Sequence, residues 1–325
     1  VLALARRYRF SHSQVVGQHI LGPVPKKIAG QIDLFDIGSP TVPAPPKIPA
    51  DPAKVPGHFW SGCKARLIEG YLFLFLQVTK HGTYIDGFAG PQVAEDLDGW
   101  SAGRVIRGQR GRDQIRLQHF HLFDTDARKA PILQALADSR PDLDICVYPR
   151  DFNTEVVNLL RPEVIRPTEA TFCLLDQHTF ECRWSTLQAL AAYKSPKIEL
   201  FYFFAEGWLN RALANTTVNQ ADLTAWWGGE GWQSLPGMSG RVRADLLAER
   251  FRGELGYTYS RPFPVFRTRE AQQVFYYMVH ASDHPAAIEF MVRAYREAVS
   301  PKEPVNQPTL PIDLPLPTTT AAEVP

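Results

Sequence analysis

The sequence predicts an α/β fold built as a mostly parallel, doubly wound sheet with helices on both faces. Two observations lead there. Short apolar runs of strand length alternate with stretches of helical periodicity, which is the pattern that successive βαβ units leave in a chain. Four consecutive runs are also followed closely by an aspartate, Asp86, Asp124, Asp151 and Asp176. In open parallel sheets the carboxyl ends of the strands are where ligands bind.

Residues 60–80 place Ala65, Ile68, Leu72, Phe75 and Val78 at three- and four-residue spacing, which predicts a helix with one buried face. The predicted strands are TYIDGF, FHLFD (120–124), ICVYP (145–149), TFCLLD (171–176) and IELFYFF (198–204). Helices are expected over 127–138, 153–165 and 184–193. Residues 207–256 read as a helical insertion interrupted by WWGGEGWQSLPGMSG, too long for a simple crossover. FPVFRTR and QQVFYYMVHAS then read as an antiparallel pair at a sheet edge, and 285–299 as a closing amphipathic helix.

Charge is balanced, with 35 Lys plus Arg against 34 Asp plus Glu in 325 residues, so no bulk attraction to nucleic acid or membrane is expected. The four cysteines form no CxxC pair, and a reduced, cytoplasmic setting is expected. No apolar stretch reaches the length of a membrane span, and VLALARRYRF lacks a signal-peptide core. Of the 27 prolines, 16 lie in residues 1–56 and 301–325, which read as extended arms flanking a domain over 57–300. The tail is expected to be disordered, and QIDLFDI (31–37) to dock on the domain or on a partner.

The turn after the first strand, Asp86-Gly87-Phe88-Ala89-Gly90-Pro91, is neither a G-x-G-x-x-G fingerprint nor a P-loop. Its small residues would let backbone approach a nucleoside, and its carboxylate could accept from an amine. Alone, it is equally well a strand-to-helix turn. Asp124, 38 residues after Asp86, stands where an acidic side chain can take ribose hydroxyls. Asp151 could accept from an adenine amino group while Phe152 covers the base. Each aspartate separately reads as a turn or helix cap; together they predict a ligand site.

The segments KARLIEGYL, GTYIDGFAGP, FDTD, FFAEGWLNRAL and VFYYMVHASDHPAAIEFM resemble the three-Cys-motif partner (TcmP) family over residues 58–297. That family resembles Rossmann-like methyltransferases that use S-adenosylmethionine, and its name refers to cysteines in a neighbouring-gene partner. The resemblance implies the Rossmann-like methyltransferase fold and a methyl-donor pocket. Asp86, Gly87, Phe88, Ala89 and Gly90 would surround the methionine end, Asp124 the ribose, and Asp151 with Phe152 the adenine. The sequence departs from the family at Gln92, where a glycine is usual, and in the loop after the fourth strand. There Asp-Pro-Phe-Gly is usual, and this chain has Asp176-Gln177-His178-Thr179-Phe180-Glu181.

In that loop Asp176 could align an amino group, His178 or Glu181 could take a proton, and Phe180 could stack a planar base. The bland alternative for His178 and Glu181 is helix capping. Trp208, Trp226, Trp227 and Trp232, with the arginines up to Arg269, could receive a nucleic acid strand. The competing reading makes these tryptophans core and pairs the arginines with Asp245, Glu249, Glu254 and Glu270. His280, Asp283 and His284 read as a capping turn rather than metal ligands, with Asp283 or Ser282 as the cap, and no metal site is expected.

Three functions are compatible with these residues. The first is an S-adenosylmethionine-dependent methyltransferase of unknown acceptor. The second is a non-catalytic partner or nucleic-acid-binding subunit on the same fold. The third, a metal-dependent DNA-processing factor, ranks last because the acidic residues come one per strand. Oligomeric state is not legible.

Overall fold

The computed structural model describes residues 59–92, 99–109, 115–266 and 274–299. Both proline-rich arms, QIDLFDI, Arg267, Arg269 and Glu270 lie outside them. Seven strands form one sheet in the order β3-β2-β1-β4-β5-β7-β6. They are β1 (His81–Asp86), β2 (Arg116–Phe123), β3 (Asp144–Tyr148), β4 (Thr171–Leu175), β5 (Glu199–Phe204), β6 (Tyr259–Phe266) and β7 (Val274–Ser282). Among the described residues β7 runs against the direction of the other six strands. This is the Rossmann-like methyltransferase fold expected from the sequence.

Alternation along the buried strands builds two cores. Tyr84, Leu122, Leu174 and Phe201 face α1 (Phe59–Thr79), α2 (Ser101–Gly108), α3 (Ala130–Asp138) and α9 (Ala287–Val299). Their neighbours Ile85, Phe123, Leu175 and Tyr202 face α4 (Phe152–Leu159) and α5 (Trp184–Ala192) on the other side. Helices α6 (Glu206–Ala214), α7 (Thr216–Trp227) and α8 (Gly240–Gly253) join that second face. Phe172 is fully buried at the centre of the first core, against the rings of Tyr71, Phe75, Tyr84 and Phe201. Truncating such a side chain to alanine costs about 3–5 kcal/mol.

Several expectations are corrected. Val78, placed on the buried stripe, is 46% exposed and lines a surface groove with Pro167 and Thr168. Helix α4 stops at Leu159 rather than 165; the chain turns back through residues 160–165 and buries Ile165. Helix α2 was not anticipated. The antiparallel pair does sit at the sheet edge as expected, with β7 next to β5 and β6 outermost. Pro262 and Pro264 lie on β6, the true edge, where their missing N–H groups blunt pairing with another chain.

The turn at residues 280–285 is wired differently from the capping expectation. Fully buried His280 puts its Nε2 2.7 Å from Glu199 Oε1, and Ser282 donates to Glu199 Oε2 at 3.0 Å. Tyr71 also donates to Glu199. Asp283 does not cap α9; it accepts from Thr258 N at 2.9 Å and pairs with Lys197. Ser282 accepts from His284 N at 3.1 Å. Among the described residues no His/Cys/Asp/Glu cluster could hold a metal.

The helical block is anchored by its tryptophans. Trp226, Trp227 and Trp232 are buried, and Trp226 Nε1 donates to Tyr202 OH on β5 at 2.7 Å. The Arg250 guanidinium lies between Trp184, 3.8 Å from its ring centroid, and Trp227 at 4.3 Å. Gly228 closes α7 at φ +80, and a Cβ there would meet Trp184 at 2.4 Å, so both conformation and space require glycine.

Candidate functional site

Parallel register brings the aspartates together. Asp86 pairs with Leu122 on β2 and with Leu174 on β4, so Asp124 and Asp176 each stand two residues past a partner of Asp86. Asp151 follows β3, whose Tyr148 pairs with Phe123. The glycine turn is strapped over these ends. Gly87 N donates to Leu174 O at 3.0 Å, and Ala89 N to Phe123 O at 2.7 Å.

A cleft of about 770 Å³ opens at this edge. It is lined by Asp86, Gly87, Phe88, Ala89, Gly90, Asp124, Asp151 and Phe152, and also by Asp176, His178, Phe180 and Glu181. All the site residues expected from the sequence therefore meet in one place. Gln92 lines it too, and Asp222 and Ala225 of α7 contribute a wall from the helical block.

Asp86 is buried and accepts from Tyr84 OH at 2.9 Å and from Phe88 N at 3.1 Å. Burial pushes its pKa up to about 7 and the nearby Asp176 carboxylate adds to the rise, while the hydrogen bonds from Phe88 N and Tyr84 OH and the positive charge of Lys64 oppose it. Asp124 accepts from Gly90 N at 3.0 Å, Asp126 N at 2.8 Å and Lys129 Nζ at 3.2 Å. A carboxylate has about four acceptor positions, which leaves one of them for a hydroxyl.

A Cβ on Gly90 would lie 2.4 Å from Asp124 Oδ2 and 2.3 Å from Lys129 Cδ. One on Gly87 would lie 2.9 Å from Phe152. A side chain at either glycine would have to displace these groups. Asp151 caps α4, and its Oδ1 accepts both from Asn153 N at 3.0 Å and from Asn153 Nδ2 at 2.9 Å. Phe152 is buried beneath Gly87 and edge-on to Phe123, so the free face expected for a base is small.

The loop after β4 differs most from expectation. Asp176 Oδ2 forms an ion pair of 2.5 Å with Lys64 of α1, which is 3% exposed and lines the cleft. Asp176 Oδ1 is buried without a hydrogen-bond partner among the described residues. Gln177 points inward, donating to Phe203 O at 3.0 Å and accepting from Cys182 N at 2.7 Å. His178 is exposed beside Trp208, with ring centroids 5.5 Å apart, and Phe180 packs 5.8 Å from Trp226. Glu181 accepts from Thr179 N at 2.6 Å, so it stabilises its own turn and does not cap α5.

Lys64 and Asn153 were not singled out from the sequence. Lys64 carries a readable signal, a charge four residues before Ile68 on an otherwise apolar stripe. Asn153 carries none. Its amide donates to Glu181 O at 2.8 Å and accepts from Thr186 Oγ1 at 2.7 Å, joining the start of α4 to the β4 loop.

The tryptophan and arginine cluster is largely structural. Burial removes Trp226, Trp227 and Trp232 from any stacking surface. Arg241 pairs with Asp245, Arg250 with Glu254 and Arg252 with Glu249. Trp208 alone of the four is 40% exposed, with Arg211 stacked 3.9 Å from its centroid.

No family model matches the chain, and no curated protein matches it. Solved structures resemble it at low identity. A DUF519 family protein of Legionella pneumophila str. Philadelphia 1 has TM-score 0.40 at 10% identity, covering 76% of this chain and 95% of its own. Human methyltransferase-like protein 13, solved in complex with SAH, has TM-score 0.36 at 10% identity, with 79% and 98% covered. The citrinin polyketide synthase CMeT domain has TM-score 0.36 at 11% identity, with 63% and 47% covered. At such scores the fold rests on the strand order above, and no function is carried across. No helix of the described residues is long and apolar enough to cross a membrane.

Proposed function

We propose that the cleft binds S-adenosylmethionine and that the chain is a methyltransferase of the three-Cys-motif partner type. The observation that carries this reading is the convergence of Asp86, Asp124 and Asp151 on one cleft beneath a turn whose Gly87 and Gly90 let the backbone approach Phe152 and Asp124 closely. The residues fit the group. Asp124 keeps an acceptor position for a ribose hydroxyl, and Asp151 Oδ2 for an adenine amino group. Asp86 in its ionised form offers charge to a cationic methionine end. When bound, the donor supplies an electrophilic methyl group; the protein supplies placement, which accounts for much of the barrier reduction in such transfers.

Calorimetric titration with S-adenosylmethionine and its demethylated product tests the reading. Micromolar binding lost in Asp86→Ala and Asp124→Ala is expected, and absence of binding at millimolar ligand overturns it. One observation favours a second reading, a donor-binding subunit without transfer: Lys64 already occupies one oxygen of Asp176, the group expected to align an acceptor. Donor binding without transfer to any nucleic acid, protein or small-molecule pool would support it. Association with a neighbouring-gene three-Cys-motif protein, or with nucleic acid at the exposed Trp208 rim, belongs to that reading.

A further inference from the structure

We infer that the methyl acceptor is an aliphatic amine that is cationic in solution, borne by a polyamine or by a lysine side chain. The inference rests on the donor reading above. Three features of the acceptor half of the cleft carry it.

The first is the orphaned acceptor. Asp176 lines the cleft, and its Oδ1 is buried with no hydrogen-bond partner among the described residues. An unpaired buried carboxylate oxygen is costly, and an incoming N–H would satisfy it. The second is charge. Glu181 on the β4 loop and Asp222 on α7 flank the mouth, and neither forms an ion pair among the described residues. Lys64 pairs with Asp176 and Lys129 with Asp124, which leaves Arg183 as the unpaired cation among the described residues lining the cleft. Such a mouth attracts ammonium groups and repels a phosphate backbone. The third is the aromatic wall. Phe180 lines the cleft and offers a ring that suits an alkylammonium stem, while exposed Trp208 stands beside His178 with Arg211 already stacked on it, a cation on an aromatic face at this rim.

In the transfer the amine nitrogen forms the new N–C bond as the methyl–sulfur bond breaks, and that electron pair stays on sulfur. The ammonium must first lose a proton. His178, exposed at the mouth, takes it and returns it to water.

The full-length protein would be given methyl-labelled S-adenosylmethionine with spermidine, with a lysine-rich peptide pool, or with mixed RNA and DNA. Products are read by mass spectrometry. Label on amine nitrogen is expected, in the spermidine arm if the source is free and in the peptide arm if it is protein-borne. The Glu181→Gln, Asp222→Asn double variant should raise the amine KM at least tenfold, with a smaller fall in kcat and unchanged donor affinity by calorimetry. Without donor, calorimetry should show salt-sensitive binding of the preferred amine, weakened in the same variant. Label on nucleic acid, or donor binding with no amine methylation, overturns the inference while leaving the donor site standing. Loss of donor binding in the wild type overturns both.

Discussion

Lys64 of α1 and Asp176 after β4 form a buried ion pair at 2.5 Å, which ties the first helix of the domain to the acceptor side of the cleft. Asp86 lies close enough to Asp176 for that carboxylate to disfavour ionisation of Asp86. Lys64 is the cation that lets the two share one edge. Lys64→Met should therefore destabilise the protein by about 3–5 kcal/mol, the usual cost of breaking a buried pair from one side. The loss should be larger at pH 8 than at pH 5, because at pH 5 Asp86 is protonated and only one carboxylate is left uncompensated. Thermal melts at the two values test this, and equal losses would separate Lys64 from Asp86.

Asp86 itself makes a pH prediction. Its folded pKa is raised from 3.8 to about 7, so the folded state holds a proton that the unfolded chain releases earlier. Stability from this group is complete below about pH 4 and falls as pH rises towards 7, by up to roughly 4 kcal/mol. Asp86→Asn should remove that slope and be the more stable protein at pH 8. Affinity for a cationic donor should rise over the same interval in the wild type, since only ionised Asp86 attracts it. Denaturant melts and titrations from pH 5 to 8 check both arms; a pH-independent Asp86 would give neither.

The strands were legible because each is an apolar run that needs no distant information. The aspartates at their ends were legible for the same reason. Helix α2 was not, since eight residues containing two glycines, SAGRVIRG, carry too short a periodic pattern. The place of β7 between β5 and β6 was also hidden, because strand order is fixed by non-local pairing. In the site, the positions of Asp86, Asp124, Asp151 and Asp176 could be anticipated. Their engagements could not: Lys129 on Asp124, Asn153 on Asp151 and Lys64 on Asp176 are side-chain meetings that depend on helix placement.

Gly90 gives the most direct test of the turn. With a Cβ 2.4 Å from Asp124 Oδ2, Gly90→Ala must push the carboxylate or the Lys129 stem away. Donor affinity should drop at least tenfold, about 1.4 kcal/mol, while the melting temperature falls less steeply because the groups displaced are side chains and not backbone. Calorimetry beside a melt separates the two effects. Unchanged affinity would mean that the turn does not touch the donor.

Arg250 holds the helical block to the rest of the domain. It lies between Trp184 of α5 and Trp227 of α7, and donates to Trp227 O at 2.8 Å. Since α7 also carries Asp222 to the cleft, this contact fixes one wall of the site from behind. Arg250→Ala should cost about 2–3 kcal/mol through the lost cation–π contacts and an unsatisfied carbonyl. Arg250→Lys should recover only part of it, because an ammonium cannot lie flat between two rings. If α7 positions Asp222, the alanine variant should also weaken amine binding without weakening donor binding, although Arg250 is not among the residues lining the cleft. Paired titrations of the two ligands decide it, and equal weakening of both would show general loosening of the fold instead.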